Sequence, residues 1–389
     1  MNRSILVVGV NIGKLYSGCT FSTKSHFDEK PNHVMSVSWK SEYLTKLSEE
    51  TPTSILLNAE KGFESFGYEA EDQYMSLTDE TKASDVYFFQ HFLCQTKWYR
   101  KNGKILVKPT NRSDPVPLKT LLSQSISYLK NHFDLNVIKN SFNFIENEIL
   151  WMVVYPDESD FDVRLTFHKA CLTADISEEN FVLVGESIAI KSFARHIEQY
   201  KKYEINGLLP KCMVILNCIL TQVRQNKVLQ IYPQVPTILI GISSVIADID
   251  SIMSKRLGCF IFNDLTDIKS RCELIYNLDV ALKEGSMNQC YPVKIRVPVS
   301  YLGHMGKHIT NSWKEGFRLL SYTLCIDSTV IHEAFQRALK PLMNHLKRVI
   351  NFLNREAIYK VILVGDFSRY SMTKVFFKKA FPNVNSLYH

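Results

Sequence analysis

At 389 residues the chain is long enough for two or three domains with separate cores, and its 46% hydrophobic and 12% aromatic content is that of a packed protein, not a disordered one. The formal net charge of +7 is mild for this length, and no apolar run approaches the roughly eighteen residues of a membrane span. Nine cysteines, scattered and without a C-x-x-C pair, predict reduced thiols, and with no secretory leader pattern they predict a cytoplasmic protein.

The chain opens on a hairpin. Ile5 to Val10 is a β-branched apolar run, too short for a globular helix, and reads as a buried strand. Asn11 to Lys14, centred on Gly13, supplies the turn, and Leu15 to Phe21 returns as a second strand. A glycine-bearing turn of this kind lets backbone amides approach an anion closely. Lys24 to Glu50 is polar and mixed, and reads as loop with an extended piece near Val34 to Trp39. Pro52 to Asn58 is a strand, Gly62 to Gly67 its turn and partner, and Tyr68 to Tyr74 the start of a helix. Leu118, Leu121, Leu122, Ile126, Leu129 and Phe133 form the stripe of an amphipathic helix. Ile149 to Tyr155 is a strand closed by Pro156, Asp162 to Leu172 a helix, and Phe181 to Val184 a short buried strand. Ile188, Phe193, Ala194 and Ile197 mark a further helix.

Gly207 to Pro210 breaks the chain, and a second series begins, which places two domains at 1–206 and 207–389. Cys212 to Cys218 and Val228 to Tyr232 read as strands, Ser244 to Leu257 as a helix, and Val293 to Val299 as a strand. The longest helix spans Thr329 to Asn354, capped by Asp327 or Ser328 and kinked at Pro341. Val361 to Val364 is a strand, Gly365 to Ser368 a turn, and Ser371 to Ala380 a helix. Basic residues gather near the end, among them Lys347, Arg348, Lys374, Lys378 and Lys379. No aromatic interleaving accompanies them, so they read as a solvated face and no nucleic-acid partner is expected. His304 and His308 lack a third ligand for a metal.

Three stretches, taken in order, resemble the nucleotide-binding motifs of the actin, sugar-kinase and heat-shock ATPase superfamily. They are similar in particular to the divergent branch of 70-kDa heat-shock proteins called type 12. Gly9 to Gly18 with Phe21-Ser22 resembles the first phosphate turn, D-x-G-T-T-Y-S-G followed by F-S. Pro52 through Tyr74 and Ile149 to Ala174 follow the same branch, with Glu186 where it carries a glutamate. Val361 to Ser368 resembles the adenosine-side turn L-V-G-G-F. The resemblance implies an α/β fold of two actin-like ATPase lobes, each a ribonuclease-H-like half, around a central cleft. The turns at Gly13 and Gly365 are expected to face that cleft from the same lobe. Gly13, Lys14, Leu15, Tyr16, Gly365, Asp366 and Phe367 are then the nucleotide-binding positions, and ATP the ligand.

The departures bear on chemistry. The family's first aspartate is here Asn11, its two threonines are Lys14 and Leu15, and the second phosphate loop, D-x-G-G-G-T, is matched by Asn217 to Gln222 without the glycines. Phosphoryl transfer needs a metal to neutralise developing charge, and an amide brings no charge to hold one. Asn11, Asn217 and Glu186 therefore stand as degenerate catalytic positions. ATP is expected to bind weakly if at all, Mg2+ poorly, and hydrolysis to be weak or lost. On this resemblance, the sequence is expected to stop short of the strand and helix that complete the family's second lobe and of the family's peptide clamp. The resemblance implies a chaperone-related protein with clients or co-chaperones as partners. Two rival readings stay open: a working ATPase in which Lys14 substitutes, and a protein-binding scaffold without nucleotide.

Overall fold

The computed structural model describes residues 6–30, 34–40, 47–77, 85–93, 98–138, 148–156, 161–186, 188–189, 192, 212–215, 220–224, 227–232, 242–262, 268–284, 292–352, 360–363, 370–382 and 385–388. The chain divides into two compact units, Met1–Ala189 and Ile190–His389. Both mix helices with strands, so the fold class is α/β. Among the described residues no helix is long and apolar enough to cross a membrane.

The first unit is built on a mixed sheet. Strands β1 (Leu6–Ile12) and β2 (Tyr16–Thr23) form an antiparallel hairpin. Helix α1 (Lys24–Glu29) follows where the sequence suggested loop, because the Thr23 side chain accepts from His26 N and caps it. Strands β3 (Met35–Ser36) and β4 (Thr51–Pro52) both pair with β2. Next come β5 (Ile55–Leu57), β6 (Phe63–Phe66), α2 (Tyr68–Ser76) and β7 (Tyr87–Phe89), in which β5 pairs with both β6 and β7. A further antiparallel sheet consists of β8 (Trp98–Lys101), β9 (Lys104–Val107) and β10 (Val116–Pro117). Helix α3 (Leu118–Phe133) leads, through a short π-helical stretch, towards β11 (Ile149–Tyr155), α4 (Phe161–Thr173) and β12 (Phe181–Gly185). The main sheet runs β12-β11-β1-β2-β3. β1, β11 and β12 are parallel and β2 antiparallel.

Alternation decides which face of this sheet is buried. Leu6, Val8, Val10 and Ile12 of β1 are buried, as are Ile149, Trp151 and Val153 of β11, whereas the residues between them are partly open. The stripe of α3 and the Val163, Phe167, Ala170 and Cys171 face of α4 complete this core. Phe133 meets Phe21 and Trp151 edge-on, with ring centroids 5.4 and 5.6 Å away, and each such pair contributes about 1 kcal/mol beyond its buried area. The same burial pushes the thiols of Cys19 and Cys171 up to about 12, which holds them protonated at neutral pH. Neither is expected to react with a maleimide in the native protein, whereas both should react in denaturant. Mass mapping of labelled peptides checks this, and native labelling at Cys19 would contradict the burial.

The second unit contains β13 (Cys212–Ile215), β14 (Leu220–Arg224), β15 (Lys227–Tyr232), α5 (Ile242–Leu257), α6 (Ile268–Glu284), β16 (Val293–Arg296), α7 (Val299–Met305), β17 (Phe317–Leu320), β18 (Thr323–Ile326), α8 (Ser328–Phe352), β19 (Lys360–Leu363), α9 (Ser371–Ala380) and β20 (Asn385–Tyr388). β13, β19 and β20 form a parallel sheet in that order. β14 and β15 form a hairpin, and β16-β18-β17 an antiparallel sheet. α8 packs on α5, and Arg256 of α5 bonds Glu333 of α8 at 2.6 Å. Asp250, buried in α5, accepts the amides of Ile261 and Phe262 at 3.0 and 2.9 Å, which fixes the chain beyond the helix. Asp327 accepts Thr329 N at 2.9 Å, as a cap of α8 should, and the helix includes Pro341.

Several expectations are corrected. Val299 opens helix α7 and does not end a strand, because Pro298 lacks the N–H to continue the ladder. Leu220 to Gln222, expected in a loop, belong to strand β14. The strands that precede the Gly13 and Gly365 turns, expected in one lobe, fall in different compact units: β1 lies in the first unit's sheet, and β19 pairs with β13 and β20 in the second.

Candidate functional site

Parallel pairing brings the carboxyl ends of β1, β11 and β12 to one edge of the first unit's sheet. Asn11 registers with Val154, and Tyr155 with Gly185, after which Glu186 follows directly. β1 is also where the sheet changes from antiparallel, on the β2 side, to parallel, on the β11 side. Open α/β sheets bind ligands outside the carboxyl ends of their strands. The hairpin turn follows the carboxyl end of β1 and so lies at that edge.

The turn is tightly specified. Gly13 N donates to Tyr16 O at 3.0 Å, and a Cβ added at Gly13 would come within 2.5 Å of that carbonyl. Glycine is therefore required by space, since the carbonyl is backbone and cannot swing aside. Asn11 is exposed at the end of β1, and its amide nitrogen lies near Gly13. Lys14, Leu15 and Tyr16 are half-buried.

Three residues that sequence reading did not single out hold this turn. Thr53, fully buried, donates its hydroxyl to Gly13 O at 2.8 Å and its amide to Leu15 O at 2.8 Å. With that proton committed, Ser17 must donate to Thr53 Oγ1, 2.7 Å away. His91 Nδ1 lies 3.1 Å from Leu15 O; a carbonyl only accepts, so Nδ1 carries the hydrogen. His91 has φ +48°, an uncommon conformation for a residue with a side chain, and its ring centroid lies 6.5 Å from that of Tyr16. Non-glycine residues held there cluster at functional sites. The signal for Thr53 was present in the sequence as a Thr-Pro-Thr-Ser run, but nothing local says that it folds onto a turn forty residues earlier.

The chemistry follows from these contacts. The carbonyls of Gly13 and Leu15 are both satisfied from within the protein, which draws their negative ends away from the turn. The turn's own charge is the Lys14 ammonium, and its other polar side chain is a neutral amide. Such a turn suits an anion and suits a divalent cation poorly. Glu186 is half-buried and is the first residue of a helical stretch. Asn217, Gly365, Asp366 and Phe367 lie outside the described residues. His308 bonds Leu257 O through Nδ1 at 3.2 Å, an interaction that anchors α5 within the second unit.

No family model matches the chain. It is 23% identical over 220 residues to heat shock 70 kDa protein 12B of Homo sapiens, a match covering 53% of this chain and 30% of that protein. Heat shock 70 kDa protein 12A of Homo sapiens and of Mus musculus match over 214 residues at 23% and 22% identity. The match thus spans less than a third of these relatives' length. Over about half of its residues the chain is distantly similar to 70-kDa heat-shock proteins.

Proposed function

We propose that the chain is a degenerate nucleotide-binding, chaperone-related protein of the cytoplasm, in which the first hairpin turn holds a phosphate and hydrolysis is weak or lost. The observation that carries this reading is the turn itself. It is a glycine-pinned loop at the carboxyl edge of the sheet's parallel strands, with its carbonyls tied inward and Lys14 on it. Two further observations support the reading. The sheet adds an antiparallel hairpin on one side of β1 and parallel strands on the other, as a ribonuclease-H-like half of an actin-like ATPase requires. The curated relatives bear heat-shock names. In this reading the Lys14 ammonium pairs with phosphate oxygens, and Asn11 hydrogen-bonds water or phosphate without supplying charge. The nucleotide would bring the leaving group, and nothing at the turn would hold magnesium tightly.

Thermal unfolding with and without ATP tests binding. Ligand at about ten times its Kd stabilises the native state by ~1.4 kcal/mol, a rise of about 3–5 °C for a unit of this size. A Lys14→Met variant should lose that rise. No shift with any nucleotide would instead favour a protein-binding scaffold. Single-turnover hydrolysis tests the chemistry. The native chain, Asn11→Asp and Asn11→Asp/Asn217→Asp should all remain at background with magnesium, because groups that act as a unit are not restored singly. Clear magnesium-dependent turnover by the native chain would mean a working ATPase.

A further inference from the structure

Two grooves meet on the first unit. One, of about 650 Å³, is lined by α2 and by Trp39 and Lys40; the other, of about 490 Å³, runs along α3 beside Phe63 and Gln124. They share Tyr128 and His132, which makes them one continuous depression. The shared floor is aromatic. Trp39 stacks on His132 with centroids 5.0 Å apart and planes at 12°, and His132 stacks on Tyr128 at 5.8 Å and 17°. His132 is held by Ser38 O at 3.2 Å, and burial lowers its basicity.

Charge and unmet hydrogen bonds then restrict the occupant. Glu69 and Asp72, three residues apart on α2, set two carboxylates along one wall, with Lys40 the lysine of the lining. The Glu69 charge is felt at both rings, where it raises the Tyr128 hydroxyl, already driven up by burial to about 12, and favours the His132 cation. Trp39 is only 3% exposed, and its indole Nε1 has no hydrogen-bond partner. Gln124 Oε1, in the lining of the second groove, is likewise buried and unpartnered. A donor beside one groove and an acceptor beside the other match what an extended backbone offers in alternation. A planar guanidinium suits the rest, since it stacks on aromatic faces while pairing with carboxylates.

We propose that this double groove is a docking site for an extended peptide segment of a protein partner, with an arginine side chain laid on the shared Tyr128–His132 floor against Glu69 and Asp72. The test uses the full chain and a fluorescent, end-blocked heptapeptide of alanine and serine with one central arginine, read by anisotropy. A second peptide replaces the arginine with citrulline, which keeps the shape and removes the charge. Saturable binding of the arginine peptide is expected, with the citrulline peptide at least about tenfold weaker. Glu69→Gln, at an exposed position, should weaken the arginine peptide about threefold with no change in Tm, and Glu69→Gln/Asp72→Asn should abolish the preference over citrulline. Equal binding of the two peptides, no saturation, or an unchanged preference in the double variant would each overturn the proposal. So would a self-associated form that Glu69→Gln dissolves, because a second copy would then occupy the groove.

Discussion

Gly67→Ala is expected to lower the stability of the first unit by about 4 kcal/mol. Gly67 has φ +67°, and a Cβ there would stand 1.9 Å from Thr51 Oγ1 and 2.9 Å from both Thr51 Cβ and Cγ2. With ψ −136° this backbone lies outside even the left-handed helical region and is adopted essentially by glycine alone, a cost of about 1–3 kcal/mol for a residue with a side chain. Overpacking adds a further ~1–3 kcal/mol, because Thr51 is fully buried, pairs in strand β4 and cannot retreat. Rotating Thr51 away would break its acceptance of Tyr68 N at 2.9 Å, the bond that starts α2. At about 2–4 °C per kcal/mol the transition should fall by roughly 8–16 °C. Gly103→Ala is the uncrowded comparison: Gly103 also has a positive φ, +69°, but nothing lies within 4 Å of the added carbon. It should lose only the backbone portion, about 1–2 kcal/mol. Equal losses at the two sites, measured by urea unfolding, would mean that the packing around Thr51 contributes nothing.

Thr53→Val is expected to cost about 2–4 kcal/mol and to disorganise the hairpin turn. Valine keeps the shape of threonine but removes a hydroxyl that both donates to Gly13 O and accepts from Ser17. Each buried group left without a partner costs about 1–3 kcal/mol. Thr53→Ser retains both bonds and loses one methyl, about 0.8 kcal/mol, so the order serine mild, valine severe identifies hydrogen bonding as the cause. The Thr53 amide still reaches Leu15 O in both variants, which keeps the fold available for measurement. If the turn binds phosphate, the thermal response to ATP should survive in the serine variant and disappear in the valine variant. Comparable destabilisation by serine and valine would assign the effect to packing.

How much of this was legible in the sequence depended on whether the cause was local. The α3 stripe from Leu118 to Phe133, the β11 run closed by Pro156 and the α9 span Ser371–Ala380 were all readable, because period and punctuation are written into neighbouring residues. Helix α1 was not. All of its residues but Phe27 are polar and none is buried, and it exists through a cap at Thr23 that competes with turn conformations of the same residues. Strands β7 to β10 drew no expectation, since strands of two to four residues carry too little alternation to stand out.

At the hairpin, the sequence by itself determined the two strands, the glycine at their turn and the presence there of an amide, Asn11, and an ammonium, Lys14. Those are statements about single residues and their immediate neighbours. Only the tertiary structure decided that Thr53 and His91 hold the turn's carbonyls, that Asn11 stands where the sheet changes from antiparallel to parallel pairing, and that Trp39, Tyr128 and His132 stack into one floor. Separations along the chain run from 40 residues for Thr53 and Gly13 to 143 for Asn11 and Val154. Closing loops of that length costs entropy that no local pattern reveals, and it is repaid only when the whole core forms around β1 and α3.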